Sequence, residues 1–410
     1  MTREPIGLAV QKDGAEMTVF EADSLTTMAE PGWRPGAAVE PSTASARLLD
    51  WQGVEAISSE WEELGRFALD PNPFFEPAFA LSLAQHGPPE RRPRFLAVRE
   101  ISGANRLIGM FVLDCSGFAS WKSPLVAFGS PLLRQGCAQT ALDAALVWLR
   151  ENGKAAAGFF HANLDARGPT CRAILTHAVR NQLPVQEFDR RQRAAMVRDD
   201  AGVMREVAGK RRKEMGRLLR RLQDKGEVTF TTATSIPDVR NAVETFLTLE
   251  GKGWKGARGT ALVCNPFLAT FTRTALRRMA GLSRCRVEIM KFNGAPIAAG
   301  LVLLARDQAA FWKIAFDEAF AAYSPGAQLT VALGRSLAQD TTIQLADSCA
   351  IPDHPMIDHL WVERREILDL FIGSGDMNQF QRAVQMQQAK RNLRRIAKSA
   401  FLTLTGRRAS

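Results

Sequence analysis

The chain has 410 residues, a formal net charge of +10, and 46% hydrophobic against 23% charged residues, so it exceeds one typical core and is expected to form two units plus tails. No apolar run approaches the ~20 residues of a bilayer-crossing helix, and the opening Met1 to Gly14 lacks the apolar segment of a signal peptide, so a cytoplasmic protein is expected. The excess of cations favours an anionic partner, while Cys115, Cys137, Cys171, Cys264, Cys285 and Cys349 form no CxxC pair, which argues against both zinc and a disulfide framework.

Residues 1–44, with Pro31-Gly32, Pro35-Gly36 and Pro41-Ser42-Thr43, read as a weakly ordered arm. A strand at Arg47 to Asp50 follows, then a helix from Ile57 to Ala68, and Asn72-Pro73-Phe74-Phe75 is expected to open another. Arg94 to Arg99 and Leu107 to Leu113 read as a hairpin across Ser102 to Asn105. Arg286 to Phe292 and Ile297 to Leu304 read as a second, turning at Asn293-Gly294. Each hairpin is followed by one more strand and then a Ser-Pro turn expected to open a helix, at Ser130-Pro131 and at Ser324-Pro325. This order reads as a divergent repeat.

Between the two halves, Arg205 to Lys225 carries Lys210, Arg211, Arg212, Lys213, Arg217, Arg220 and Arg221 around an apolar stripe of Met215, Leu218, Leu219 and Leu222, the pattern of a basic helix with one buried face. Val239, Val243, Phe246, Leu247 and Leu249 continue a helical pattern that Gly251 and Gly253 are expected to stop. The glycine-rich segment Gly251 to Thr260 then offers flexible backbone, the Trp254 ring and the Lys255 charge. It reads either as a substrate loop or as a helix cap whose tryptophan plugs a gap. Further on, the strand Phe311 to Phe316, with Lys313 in it, leads through Asp317 to Tyr323-Ser324-Pro325-Gly326-Ala327-Gln328, which opens a helix. Unpaired N–H groups and the helix dipole make such a start an anion site.

This ordered set of basic helix, helix–glycine loop, strand and Ser-Pro-Gly helix start resembles the GNAT-like acyltransferases of the CelD type, associated with cellulose and exopolysaccharide biosynthesis, and more distantly the FemAB aminoacyltransferases. The resemblance spans roughly residues 47–372 and is densest from Lys210 to Trp361. It implies an α/β (α+β) chain of two tandem GNAT-like domains, each a mixed, mostly antiparallel sheet flanked by helices, over 45–204 and 205–375. The usual pyrophosphate loop of that superfamily, Q/R-x-x-G-x-G/A, is represented by a single glycine, Gly326. Acetyl-CoA or another acyl-CoA is the implied co-substrate, held by Tyr323, Ser324, Gly326, Ala327 and Gln328 with Arg211 and Arg212 adding charge. No metal is expected.

Acyl transfer to an amine needs a base for the ammonium proton and no covalent nucleophile. The absence of G-x-S-x-G and of a Cys/His pairing agrees with direct attack. Candidate bases are Glu250, Glu288, Asp317, Asp347, His354 and Asp358. Asp347 ends the strand after the Ser-Pro-Gly helix, where the resemblance places the reactive end of the donor, and is the first choice, with Asp358 and His354 in reserve; Asp347 also reads as a turn residue capping Ser348. Glu250, Trp254, Lys255, Lys313 and Asp317 are the expected substrate-binding side chains. His354 and His359 are badly spaced for one helical face, so a metal there is not expected.

After Gly375 the chain reads as a polar helix ending in a basic amphipathic tail over 376–410. Leu393, Ile396, Ala397, Ala400, Phe401 and Leu404 recur at helical spacing against Lys390, Arg391, Arg394, Arg395 and Lys398. That pattern suits peripheral contact of residues 388–410 with an anionic inner-membrane surface or a solvated tail outside both domains. Arg391 and Arg395 also form an RxxxR of the kind that grips a cyclic dinucleotide. The expected activity is acyl-CoA-dependent N-acyl transfer to an amine of a saccharide precursor for the envelope or exopolysaccharide. Two alternatives stay open: a FemAB-like ligase taking an aminoacyl group from tRNA, the one setting in which nucleic acid enters, and a non-catalytic nucleotide-binding regulator.

Overall fold

A computed structural model describes residues 8–11, 17–20, 43–88, 90, 92–101, 103–152, 157–205 and 209–404; most of the expected arm over 1–44 lies outside them. In chain order the elements are β1 (Leu8–Gln11), β2 (Met17–Phe20), β3 (Ala44–Leu49), α1 (Trp51–Glu55), α2 (Ser58–Phe67), α3 (Pro77–His86), β4 (Arg94–Glu100) and β5 (Leu107–Leu113). Then come β6 (Leu132–Leu133), α4 (Ala138–Asn152), β7 (Gly158–Asp165), α5 (Pro169–Arg180), β8 (Val185–Val197), α6 (Gly209–Gln223), β9 (Val228–Ala233) and α7 (Ile236–Lys252). The rest are α8 (Trp254–Ala257), α9 (Pro266–Gly281), β10 (Cys285–Phe292), β11 (Ala295–Ala305), β12 (Gln308–Phe316), α10 (Pro325–Gln339), β13 (Leu345–Asp347), β14 (Glu363–Gly373) and α11 (Met377–Leu404). Mixed sheets flanked by helices make this an α/β fold.

Strands β9 to β12 form an antiparallel meander, β13 joins β12 in parallel, and β8, β14 and β7 continue the sheet antiparallel. A second, four-stranded antiparallel sheet runs β3-β4-β5-β6. Ala119, beside the Leu113–Ser120 bridge to β5, pairs in parallel with Phe160 of β7, as β12 does with β13. The two halves therefore follow one plan about a pseudo-two-fold axis between β8 and β14. At that axis Arg193 lies directly opposite Arg365. Strand β14, from the second half, sits between β7 and β8, both from the first, and β8 reaches β13 of the second.

Local chemistry explains the elements. Asn293 (φ +47°) and Gly294 (φ +78°) take the two left-handed positions of a tight hairpin turn whose twist matches its strands. Strand β5 is buried along its whole length, as expected of a strand covered on both faces. The halves share a core: Phe79 of α3 meets Phe271 of α9 and Trp312 of β12 edge-on, with centroids 5.1 and 5.4 Å away. Glu76 of the first half takes the Arg284 guanidinium of the second at 2.6 Å.

Several sequence expectations are corrected. Ser130-Pro131 does not open a helix; β6 follows it, and α4 starts after Gly136 (φ +77°), because Asn72 fixes the Ser130 and Phe128 carbonyls in a buried turn. Asn72 to Phe75 likewise form that turn, and α3 begins at Pro77. The helix through Phe246 passes Gly251 and stops at Gly253, its C-cap as expected, since Phe246, Leu247 and Leu249 are buried and hold its register past Gly251. The tail is not wholly detached. Phe380 and Val384 of α11 are buried beside Phe188 and Phe371, and Arg391 pairs with Asp189 and with Asp369, which also holds Lys122 at 2.8 Å. Arg391 is therefore committed to the body and is not available to an RxxxR clamp. Among the described residues no helix is long and apolar enough to cross a membrane.

Candidate active site

The site grows from a defect in the central sheet. Strand β12 pairs with β13 only over Gln308–Ala310 and Leu345–Asp347, then runs on through Phe316 without it, so the two parallel strands splay apart. On its other side the register with β11 slips between Leu301 and Val302, which leaves Trp312 as an extra residue. A bulge re-aims the side chains that follow it. Here Trp312 and Lys313, consecutive in sequence, both face α7: Trp312 packs in the core that contains Phe246 and Leu249, and the Lys313 ammonium lies 5.4 Å from the Trp312 ring. The first half fixes the bulge, because the Trp312 indole N–H donates to the Leu125 carbonyl at 2.9 Å.

Lys313 is half-buried. Burial, and then repulsion from Lys255, pull its pKa below the ordinary lysine value, with Glu250 and Cys349 opposing. Glu250 is 4% exposed; one oxygen takes Lys255 Nζ at 2.9 Å and the other accepts the Leu262 N–H at 2.8 Å. Both oxygens are thus engaged, so Glu250 positions Lys255 and the following turn and is not a free base. Burial, then the Asp347 charge, raise the Cys349 thiol, which keeps it neutral and removes it as a nucleophile. Trp254 is half exposed at the rim, its backbone N–H donating to Glu318 at 2.7 Å and its ring 5.0 Å from Arg258. A small cavity of about 40 Å³ lies between Leu249, Trp254, Lys255, Ile314 and Phe316.

The corner that presents Lys255 depends on one glycine. A Cβ on Gly256 would lie 1.7 Å from the Gly251 carbonyl oxygen. Gly256→Ala is accordingly expected to open the α7–α8 corner, lower stability by about 1–3 kcal/mol and separate Lys255 from Glu250; denaturant unfolding that matches the parent protein would refute the requirement.

At the other end of the splay, α10 starts at Ser324, which is left-handed (φ +51°) and gives no side-chain cap, so the first N–H groups of the helix are not claimed by Ser324. Gly326 faces the splay: a Cβ there would meet Phe316 at 3.3 Å, Ile314 at 3.5 Å and Met356 at 3.8 Å. Tyr323 stands beside it with the Lys225 ammonium 5.6 Å from its ring. Ala327 is buried in the core. One expected cofactor contact is corrected. The Gln328 amide donates to the Met215 carbonyl at 2.8 Å and ties α10 to α6. Arg211 pairs with Glu214 and Arg212 points to solvent. The cation that the fold brings to Tyr323 is Lys225, near the C-terminal end of the same basic segment.

The expected bases fall in different surroundings. Asp347 is fully buried at the junction of β13 and β8, with Arg193 at 2.8 Å, Arg365 at 3.4 Å and the Cys349 N–H at 2.7 Å. Both guanidiniums lie over Phe128, 4.6 and 4.3 Å from its centroid. With its oxygens engaged and no exposed surface, Asp347 is placed as an ionic anchor, not at an open strand end as expected. His354 Nδ1 accepts the Met356 N–H at 3.3 Å and shapes the turn around Met356. Asp358 has a buried oxygen with no hydrogen-bond partner. Asp317 caps the short helix Glu318–Tyr323 by accepting the Ala319 N–H. Glu288 is buried on Thr232, its pKa raised by desolvation.

Residues 209–350 match a family model described as acetyltransferase (GNAT) domain, a span that holds β12, α10, β13 and Lys313. No curated protein matches the chain significantly. Among solved structures, the chain is similar to FemX, at 10% identity and a TM-score of 0.49 over 76% of this chain and 95% of that one. It is similar to a conserved protein of unknown function from Bacteroides thetaiotaomicron, at 11% identity and 0.48 over 77% and 97%. A tandem GNAT protein from the clavulanic acid biosynthesis pathway gives 14% identity and 0.40 over 81% and 99%.

Proposed function

We propose that this chain is an acyl-CoA-dependent N-acyltransferase, with an acetyl group as the simplest donor load. The observation that carries the reading is Lys313: a half-buried lysine with a lowered pKa, turned by a bulge toward α7 on the strand that splays from β13, inside the segment that matches the GNAT domain. In this reading 45–204 and 205–375 are tandem units with the chemistry in the second. The start of α10 holds the donor's phosphates, because helix N–H groups and dipole favour an anion, Gly326 keeps the approach open, and Lys225 adds charge beside Tyr323. Trp254 and Lys255 line the acceptor's way in.

Lys313 handles the proton. Neutral Lys313 takes it from the attacking ammonium as the C–N bond forms, and returns it to the departing thiolate as the C–S bond breaks. The acceptor assigned here is an amine of a saccharide precursor, supported by the resemblance to the CelD type. A donor screen tests the reading: stabilisation by acyl-CoA with thiol release on adding amino sugars is expected. Stabilisation by aminoacyl-tRNA would replace it with the ligase, and by a dinucleotide without turnover with the regulator.

The donor site makes its own prediction. Gly326→Asp sets a carboxylate where phosphate is to bind and is expected to weaken acyl-CoA about tenfold or more, on the order of 1.4 kcal/mol per tenfold. Gly326→Ala, whose Cβ needs only small shifts of Phe316, should weaken it far less. Equal affinity in a folded Gly326→Asp protein, measured by calorimetry, would move the donor elsewhere.

A further inference from the structure

Helix α11 has two opposed faces. Phe380, Val384 and Arg391 recur at helical spacing on the face that docks on the sheet, through burial of the first two and the ion pairs of the third. On the opposite face Met386, Leu393 and Ile396 are 57, 68 and 63% exposed, again at helical spacing. From Asn392 to Ala397 every residue is exposed, so the helix runs off the body and carries that face with it. Arg382, Lys390, Arg394 and Arg395 of the same helix are also exposed. The sequence contains no acidic residue from Met377 onward.

We propose that this outward face of α11 docks on an anionic lipid bilayer. An apolar stripe on a helix whose only charges are cations matches the boundary between acyl chains and acidic headgroups. A second copy of this chain would bring the same cations against each other with no carboxylate on either helix to pair them. Nucleic acid would engage the arginines and leave Leu393 and Ile396 in water. The docked face explains how the surface is aimed: Arg391, locked on Asp189 and Asp369, sets the roll of the helix so that Leu393 and Ile396 point away from the sheet.

The test uses the full chain in sedimentation with phosphatidylcholine vesicles, with and without phosphatidylglycerol. Binding is expected only with phosphatidylglycerol, and should be lost at about 1 M salt, where screening shortens to ~3 Å. Leu393→Asp/Ile396→Asp, at sites too exposed to endanger the fold, should cut partitioning at least about tenfold. Arg394→Ala/Arg395→Ala should cut it by about fivefold for each arginine removed. The proposal is overturned if the parent chain ignores phosphatidylglycerol vesicles at low salt, or if the Asp pair binds them as the parent does. It is also overturned if light scattering shows a dimer that the Asp pair dissolves, or if duplex DNA displaces the vesicles and binds the Asp pair as tightly as the parent.

Discussion

Lys313→Met is expected to lower kcat/KM by about 10²- to 10⁴-fold, the usual worth of a positioned proton-transfer group, while leaving the fold at least as stable as before. The two halves of that expectation come from one cause. Burial disfavours the ammonium of Lys313, and Lys255 repels it, so a methionine of similar length removes an unfavourable charge without leaving a hole. A merely structural lysine would show the reverse pattern, an early melt with full specific activity. The pH profile supplies a separate check. A base works when neutral, so kcat/KM should rise through the lowered Lys313 pKa as pH increases. Lys313→Arg, charged throughout the accessible range, should lose that limb along with the rate. A Lys313→Met protein that retains both rate and limb would transfer the role to Asp358 or His354.

The second large effect is on stability. Asp347→Ala leaves Arg193 and Arg365, 6% exposed each, without the carboxylate that neutralises them, and breaking a buried pair from one side costs about 3–5 kcal/mol. Arg365 keeps Asp165 at 2.8 Å, so the loss falls mainly on Arg193. Removing that cation as well, in Asp347→Ala/Arg193→Met, should recover part of the stability, and a double-mutant cycle in denaturant measures the coupling. A folded Asp347→Asn enzyme of normal stability and no turnover would reinstate Asp347 as the base.

The legible and illegible parts of this chain divide by the range of the interaction. The Asn293-Gly294 hairpin, the Ser324-Pro325 helix start and the basic stripe of α6 are written in neighbouring residues, and turn, cap and periodicity reveal them. Lys313 was visible as a polar residue within a strand. Its aim was not, because a bulge exists only relative to a partner, and the slip is set against Leu301 and Val302. Asp347 looked like a strand-end base for the same reason: Arg193, which claims it, is 154 residues away. Gly251 looked like a stop because glycine weakens a helix by about 1 kcal/mol, a preference that the burial of Phe246 and Leu247 overrides. The cation beside Tyr323 is not legible although Lys225 closes the basic segment, since nothing local says that the turn after α6 faces a distant ring.

The exchange of β8 and β14 bears on how the protein is made. When the ribosome has released residues up to about 204, the first half has every strand of its plan except β14, and β7 and β8 each expose an edge that only residues 363–373 will fill. Unpaired edges of that kind invite pairing with other chains, and synthesis at 5–20 residues per second leaves them open for about ten to thirty seconds. A nascent first half should therefore depend on a chaperone, or on β8 staying unformed until its partner emerges. Folding from the N-terminus onward, the usual order for tandem units, is closed to this topology.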